Sequence, residues 1–112
     1  MDRKHIAEKF SDEILKQSGK DIVSITLFGS VAQGIDNDDS DIDILVITDA
    51  GQSISGIAYD IVADFVIRYS ELLSIMEYHI NNMSEFAKKV AQEGVILYER
   101  DKSAFNKVQT IP

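Results

Sequence analysis

Residues 22–30 read IVSITLFGS and residues 41–48 read DIDILVIT, and these two segments decide the fold. Each contains a run of Ile, Val and Leu, which is typical of a β-strand. The first run also begins and ends with apolar residues, Ile22 and Phe28, which indicates cover on both of its faces. Residues 34–40 (GIDNDDS) have almost nothing to bury and predict a loop. The sequence therefore predicts two strands joined by a short helical turn and an acidic loop.

Two longer segments on either side of these strands carry the periodicity of helices. Residues 2–18 place Ile6, Phe10 and Ile14 at four-residue intervals, and Gly19 follows as a helix stop. Residues 53–69 are rich in β-branched types, but their apolar side chains recur at i, i+3 and i+4 over four turns. Periodicity is a stronger signal than β-propensity, which depends on context. We therefore predict a helix in both segments.

The remaining elements alternate between strand and helix. We predict a strand at residues 71–78, a helix at residues 82–93 and a short strand at residues 95–98. Asn82 and Glu85 have the spacing of a capping box at the start of that helix. The order of elements predicts an α/β (α+β) fold, a small mixed sheet with helices packed mainly on one face. We expect one domain at residues 1–98 and a polar tail at residues 99–112.

Composition and charge exclude several classes of function. The chain has 112 residues and no cysteine, so disulfides and cysteine-bound metals are excluded. No apolar run approaches the length of a membrane span, and the N-terminal residues lack the apolar core of a signal peptide. We therefore expect a cytoplasmic protein that does not bind a membrane. The formal net charge is −8, which disfavours general nucleic-acid binding because Lys and Arg supply most of that affinity. A basic protein partner would suit this charge.

Two short motifs follow the predicted strands and carry the candidate chemistry. Glycine at Gly29 lets an anion approach the backbone, and the Ser30 hydroxyl suits phosphate oxygens. Asp41 and Asp43 are two residues apart on a strand, so their carboxylates lie on one face, about 6–7 Å apart at Cα. Such a pair repels unless a cation intervenes, and Mg²⁺ is usually held by one or two carboxylates together with substrate phosphates. Taken separately, each motif has an alternative interpretation. Gly29 and Ser30 also suit an ordinary turn without a ligand, and Asp41 and Asp43 also suit the solvent-exposed start of a strand.

Taken together the motifs form the pattern Gly-Ser, ten residues, then Asp-x-Asp. In this pattern, over residues 22–98, the sequence resembles the DNA polymerase β-like nucleotidyltransferase superfamily. It looks closest to the minimal nucleotidyltransferase (MNT) domains that are paired with HEPN proteins as antitoxins. The resemblance implies that Gly29 and Ser30 contact the phosphates of ATP or another NTP and that Asp41 and Asp43 bind Mg²⁺. It also implies transfer of a nucleoside monophosphate to a hydroxyl, with a HEPN-type toxin as the expected partner.

The resemblance further implies a third carboxylate on a neighbouring strand, for which the sequence offers three candidates. Glu71 opens the predicted third strand and is our favoured choice as a catalytic and metal-binding residue. Asp64 lies on the outer face of the predicted helix, where it suits an i,i+4 pair with Arg68. Glu77 lies farther along the same strand face as Glu71. A site with only two acids is the remaining alternative.

One departure from the family pattern leaves the catalytic capacity of the chain open. Many relatives carry arginine in the turn where this chain has Val31 and Gln33, and the loss of positive charge weakens phosphate binding. The sequence therefore supports two main hypotheses: the chain is an enzyme, or it is a nucleotide-binding module that neutralises its partner by contact. A third and weaker hypothesis is a drug-modifying enzyme of the aminoglycoside type, but such relatives usually carry a further helical domain.

Overall fold

The structure is a computed structural model, and it describes residues 1–100. Four strands alternate with four helices along the chain. The helices are α1 (Arg3–Ser18), α2 (Gly29–Gln33), α3 (Ser55–Tyr69) and α4 (Glu85–Glu93), and the strands are β1 (Ile22–Phe28), β2 (Ile42–Thr48), β3 (Leu73–His79) and β4 (Val95–Glu99). A 3-10 turn, Gly19–Asp21, joins α1 to β1.

The four strands form one mixed sheet in the order β3-β2-β1-β4. β1 pairs antiparallel with both β2 and β4, whereas β2 and β3 run parallel. The parallel pair needs a crossover connection, and α3 provides it. The predicted fold class is confirmed, because β1 and β2 occupy the centre of the sheet and are the two segments that the apolar runs predicted.

Alternating side chains along the strands divide the core between the two faces of the sheet. The larger cluster includes Phe10 of α1 and Phe65 of α3, packed against Ile44 of β2. The two phenylalanine rings meet edge to face at 6.2 Å. The smaller cluster on the other face joins Leu45 of β2 to Val90 of α4. The helices therefore lie mainly on one face, as predicted, and α4 covers part of the other, which we call the α4 face.

The helix predicted from periodicity at residues 53–69 is confirmed as Ser55–Tyr69, with Ala58, Ile61 and Phe65 buried. The capping box predicted at Asn82 is wrong. The helix begins later because the side chain of Ser84 accepts a hydrogen bond from the Ala87 backbone N–H, and this satisfies the first turn.

β4 extends to Glu99, one residue beyond the strand predicted at residues 95–98. Residues 101–112 of the predicted tail lie outside the described residues. Among residues 1–100, none of the helices combines the length and the apolar character needed to cross a lipid bilayer.

Candidate active site

The candidate site begins where β1 ends and the chain turns sharply into α2. Gly29 has φ +74°, a left-handed conformation that residues with a Cβ adopt only at a cost. The turn places Gly29 beside β2, because Phe28 and Asp43 are register partners in the antiparallel pair. The sequence pattern Gly-Ser-x10-Asp-x-Asp thus corresponds to two neighbouring strand ends in the folded chain.

Asp43 points its carboxylate directly at the α-carbon of Gly29. A Cβ added at position 29 would lie closer than 3.0 Å to Oδ2 of Asp43, so only glycine leaves room for this approach. Asp43 has the same strand parity as Leu45, which packs under α4, so its side chain lies on the α4 face. Asp41 is exposed just before β2 begins, and its charge acts on Asp43. The structure therefore brings Gly29, Asp41 and Asp43 together.

Negative charge accumulates where Asp41 and Asp43 lie side by side, so a bound cation would stabilise the pair. Burial raises the pKa of the Asp43 carboxyl above its usual range, and the negative charge of Asp41 raises that pKa further. Two neighbouring carboxylates, one of them half-buried, are the donor set that a divalent cation with oxygen ligands prefers. The residues present therefore fit a Mg²⁺ ion that also binds phosphate oxygens.

The raised pKa of Asp43 predicts that Asp43→Asn stabilises the metal-free protein at neutral pH. The native state binds the Asp43 proton more tightly than the unfolded chain does, so stability falls as pH rises from about 3.9 through the raised pKa. At pH 7 the asparagine removes this penalty, so we expect a small rise in Tm relative to the parent protein.

Thermal unfolding of both proteins in chelator at pH 3.5 and pH 7 measures this effect. The difference should be present at pH 7 and should shrink toward pH 3.5, where Asp43 is largely protonated in both the folded and the unfolded chain. A variant that is less stable than the parent at pH 7 would contradict the proposed cost of holding the Asp43 carboxylate charged beside Asp41.

The structure places Glu71 against Arg3 rather than beside the two aspartates. Its Oε2 accepts a hydrogen bond from Arg3 Nε at 2.8 Å, and the pair is partly buried. The guanidinium also pairs with Asp36 at 3.0 Å and donates to the carbonyl oxygens of Asn37 and Asp38. Glu71 raises the pKa of Arg3 through this hydrogen bond. Arg3 thus ties the acidic loop that leads to Asp41 to both α1 and the start of β3.

The other two candidates for the third acid have structural partners elsewhere. Asp64 forms the expected i,i+4 ion pair with Arg68, at 2.7 Å and with both side chains about half exposed. Glu77 accepts hydrogen bonds from the Ser53 hydroxyl at 2.8 Å and the Ile54 backbone N–H at 3.2 Å, at the start of α3. It shares the parity of Ile75, which packs on the face opposite to α4.

The β3 residue that shares the face of Asp43 is a serine. Asp43 and Ser74 are register partners in the parallel pair, and Met76 follows on the same face. Within residues 1–100, no group of three His, Asp or Glu side chains could hold a metal ion by itself, so phosphate oxygens would have to complete the coordination at Asp41 and Asp43. Asp41 and Asp43 are the acids that the structure brings beside Gly29. The sequence did not identify Ser74 as a neighbour of Asp43, because the sheet face on which Ser74 lies is known only once the β2–β3 register is known.

Comparison with known proteins assigns the chain to a protein family. Residues 9–103 match the family described as Polymerase beta, Nucleotidyltransferase. The chain belongs to this family. The nucleotidyltransferase resemblance drawn from the Gly-Ser and Asp-x-Asp motifs is therefore confirmed. No curated protein matches the chain.

Solved structures show the same nucleotidyltransferase fold at low sequence identity. A toxin–antitoxin structure with AMP-PNP aligns with a TM-score of 0.62 and 20% identity over 90% of this chain and 80% of that chain. The toxin–antitoxin MntA-HepT aligns with a TM-score of 0.57 and 14% identity over 93% and 80%. A putative nucleotidyltransferase from Sulfolobus solfataricus aligns with a TM-score of 0.53 and 22% identity over 88% and 81%. These likenesses confirm the fold.

Proposed function

We propose that this domain transfers AMP from ATP to a hydroxyl of a partner protein and thereby acts as an antitoxin. The observation that carries the proposal is the carboxylate of Asp43 facing Gly29, with Asp41 beside it, in a chain of the nucleotidyltransferase family. Asp41 and Asp43 would hold Mg²⁺, which when bound would supply positive charge to the reacting phosphate, and the Ser30 hydroxyl and the Gly29 backbone would contact the phosphate oxygens.

The proposed reaction is a displacement at the α-phosphorus of ATP. The acceptor oxygen forms a bond to that phosphorus, and the bond to the oxygen bridging the α- and β-phosphates breaks, so pyrophosphate leaves. The acceptor proton passes to water in this scheme, because the position facing Asp43 on β3 is Ser74 rather than an acid. The protein's contribution is mainly positioning and electrostatic stabilisation.

Two observations support a protein acceptor. Solved structures with the same fold are described as toxin–antitoxin complexes, one of them with AMP-PNP. The chain carries 19 acidic and 11 basic residues, so a partner with a basic surface is attracted to it, whereas nucleic acid is repelled. We therefore expect a HEPN-type toxin as the acceptor.

Glu71 has a positioning role in this proposal, not the metal-binding role first predicted for it. Its carboxylate is neutralised by Arg3, which also holds the loop that precedes Asp41. We expect Arg3→Gln and Glu71→Gln each to destabilise the fold by about 1–2 kcal/mol in urea unfolding. The double variant should lose less than the sum of the two, because both changes break one partly buried pair.

Transfer kinetics separate this role from metal binding. If Glu71 acts through Arg3, Glu71→Gln and Arg3→Gln lose activity to a similar extent. If Glu71 is a metal ligand, Glu71→Gln becomes as inactive as Asp43→Asn while Arg3→Gln retains activity, and the positioning role is refuted.

The proposed function is tested with the protein purified together with the product of its adjacent gene. We expect Mg²⁺ and ATP labelled on the α-phosphate to label the partner, whereas ATP labelled on the γ-phosphate does not. Label from the γ-phosphate would indicate a kinase and contradict the proposal. Absence of any transfer, with a complex that still forms, would contradict it as well.

The second candidate is a nucleotide-binding module that neutralises its partner by contact. Ser74 at the position facing Asp43 favours this alternative, and so does the lack of arginine at Val31 and Gln33. A module of this kind binds ATP and its partner without labelling it, and Asp41→Asn with Asp43→Asn leaves neutralisation intact.

A further inference from the structure

A cleft of about 420 Å³ lies between α2 and α4, immediately beside the candidate active site. Phe28, Gly29 and Gln33 line one side, and Phe86, Lys89 and Glu93 line the other. Its volume is within the range of small-molecule sites, about 300–1,000 Å³. Another cleft, of about 350 Å³, is lined by Ile75 and Glu77 and opens on the sheet face opposite to Asp43, so it is not continuous with the candidate active site.

Gly29 connects the cleft to the two aspartates. One side of its α-carbon faces the Asp43 carboxylate, and the same residue lines the cleft. Asp43 and α4 also lie on the same face of the sheet. A molecule whose phosphates reach the carboxylates can therefore extend into this cleft without crossing the sheet.

Phe86 is an aromatic wall that the fold leaves largely uncovered. Its side chain is 53% exposed, although it lies on a helix whose other apolar residues are buried. Its ring meets Phe28 edge to face at 6.0 Å with an angle of 77° between the planes. Phe28 thus fixes one edge of the Phe86 ring, and a flat, apolar ligand in the cleft can pack on the rest. Stacking of a nucleobase on an aromatic side chain is worth about 1–3 kcal/mol.

Lys89 supplies positive charge to the same cleft. It lies one helical turn after Phe86 and is exposed. The neighbouring Lys88 is already paired with Glu85 at 3.2 Å. Glu93 lines the cleft too, so Lys89 is the basic side chain among the residues that line it. Lys89 therefore brings a positive charge to the cleft that Gly29 also lines.

We propose that the cleft between α2 and α4 binds the nucleoside triphosphate, with the base packed on Phe86 and the polyphosphate contacted by Lys89. The proposal rests on the proposed function, and it adds Phe86 and Lys89 of α4 as the residues that contact the base and the polyphosphate of that substrate. Lys89 replaces, from a different helix, the positive charge that Val31 and Gln33 do not provide.

Calorimetric titration of the full chain with ATP and with inorganic tripolyphosphate, both with Mg²⁺, separates the two roles. We expect Phe86→Ala to weaken ATP binding about tenfold and tripolyphosphate binding less than about twofold. Lys89→Ala should weaken both ligands about fivefold, since it removes a charge on phosphate. Ile67→Ala and Lys20→Ala are the matched controls, because both side chains are exposed away from the cleft.

Photo-crosslinking of the unmodified protein with 8-azido-ATP gives an independent readout. Peptide mapping should find the label within α4, and excess ATP should prevent it. Label outside α2 and α4, or ATP affinity unchanged in Phe86→Ala and Lys89→Ala, overturns the cleft assignment while the proposed function stands. If the wild-type protein binds neither ATP nor tripolyphosphate, the proposed function fails together with this inference.

Discussion

Replacing Asp41 and Asp43 together by asparagine reduces nucleotidyl transfer at least about 1,000-fold, if the two carboxylates hold the metal and its phosphates. Asparagine has the same shape, so the change removes charge and leaves the packing intact. The gain in apo stability expected for Asp43→Asn should persist in the double variant. Loss of activity in a protein that is at least as stable as the parent identifies a functional role for the pair.

The matched control for this experiment lies in the adjacent loop. Asp38→Asn with Asp39→Asn removes the same charge from two exposed side chains near the site. Transfer should fall less than about threefold in this variant, because loop charge acts mainly through screened attraction. Equal losses in the two double variants would show that general negative charge matters, and not the metal-binding pair.

Gly29→Ala should be the most damaging single substitution at the turn. The backbone there has φ +74°, and the added methyl group would overlap Oδ2 of Asp43. We expect a loss of about 1–2 kcal/mol in stability from the left-handed conformation alone. Because the methyl group displaces the Asp43 carboxylate, we also expect transfer to fall at least about 100-fold.

Gly34→Ala separates backbone strain from the contact with Asp43. Gly34 also has φ +74°, but an added Cβ there meets nothing within 4 Å. Urea unfolding should show similar losses of stability in the two variants, and transfer assays should show a large loss only in Gly29→Ala. A Gly34→Ala variant that is equally inactive would mean that strain in the turn, not the position of the carboxylate, accounts for the effect.

The sequence predicted the central sheet and the two motifs because their signals are local. The apolar runs of β1 and β2 are buried almost throughout, so residue type alone identified them. The four-turn periodicity of α3 was decisive because its apolar stripe packs on the sheet. The approach of Gly29 to Asp43 follows from the antiparallel pairing of adjacent strands. Local sequence patterns and the pairing of adjacent strands therefore account for most of the fold and for the part of the site formed by Gly29 and Asp43.

The remaining features depend on contacts that are distant in sequence. Glu71 opened a predicted strand, but its partner is Arg3, which is 68 residues away. The face of Ser74 depends on a parallel register that no local pattern encodes. The cleft at Phe86 exists only because α4 packs on the sheet beside α2. Each of these features depends on the tertiary arrangement, and the positions of Glu71 and Ser74 bear on whether the site has two acids or three.

A structure of the protein with Mn²⁺ and a non-hydrolysable ATP analogue tests the central claim most directly. Mn²⁺ replaces Mg²⁺ and is located by its anomalous scattering. We predict metal within about 2.0–2.2 Å of carboxylate oxygens of both Asp41 and Asp43, with the phosphates along Gly29 and Ser30. Metal and phosphates bound elsewhere, or phosphates at the turn with no metal on the two aspartates, would contradict the account.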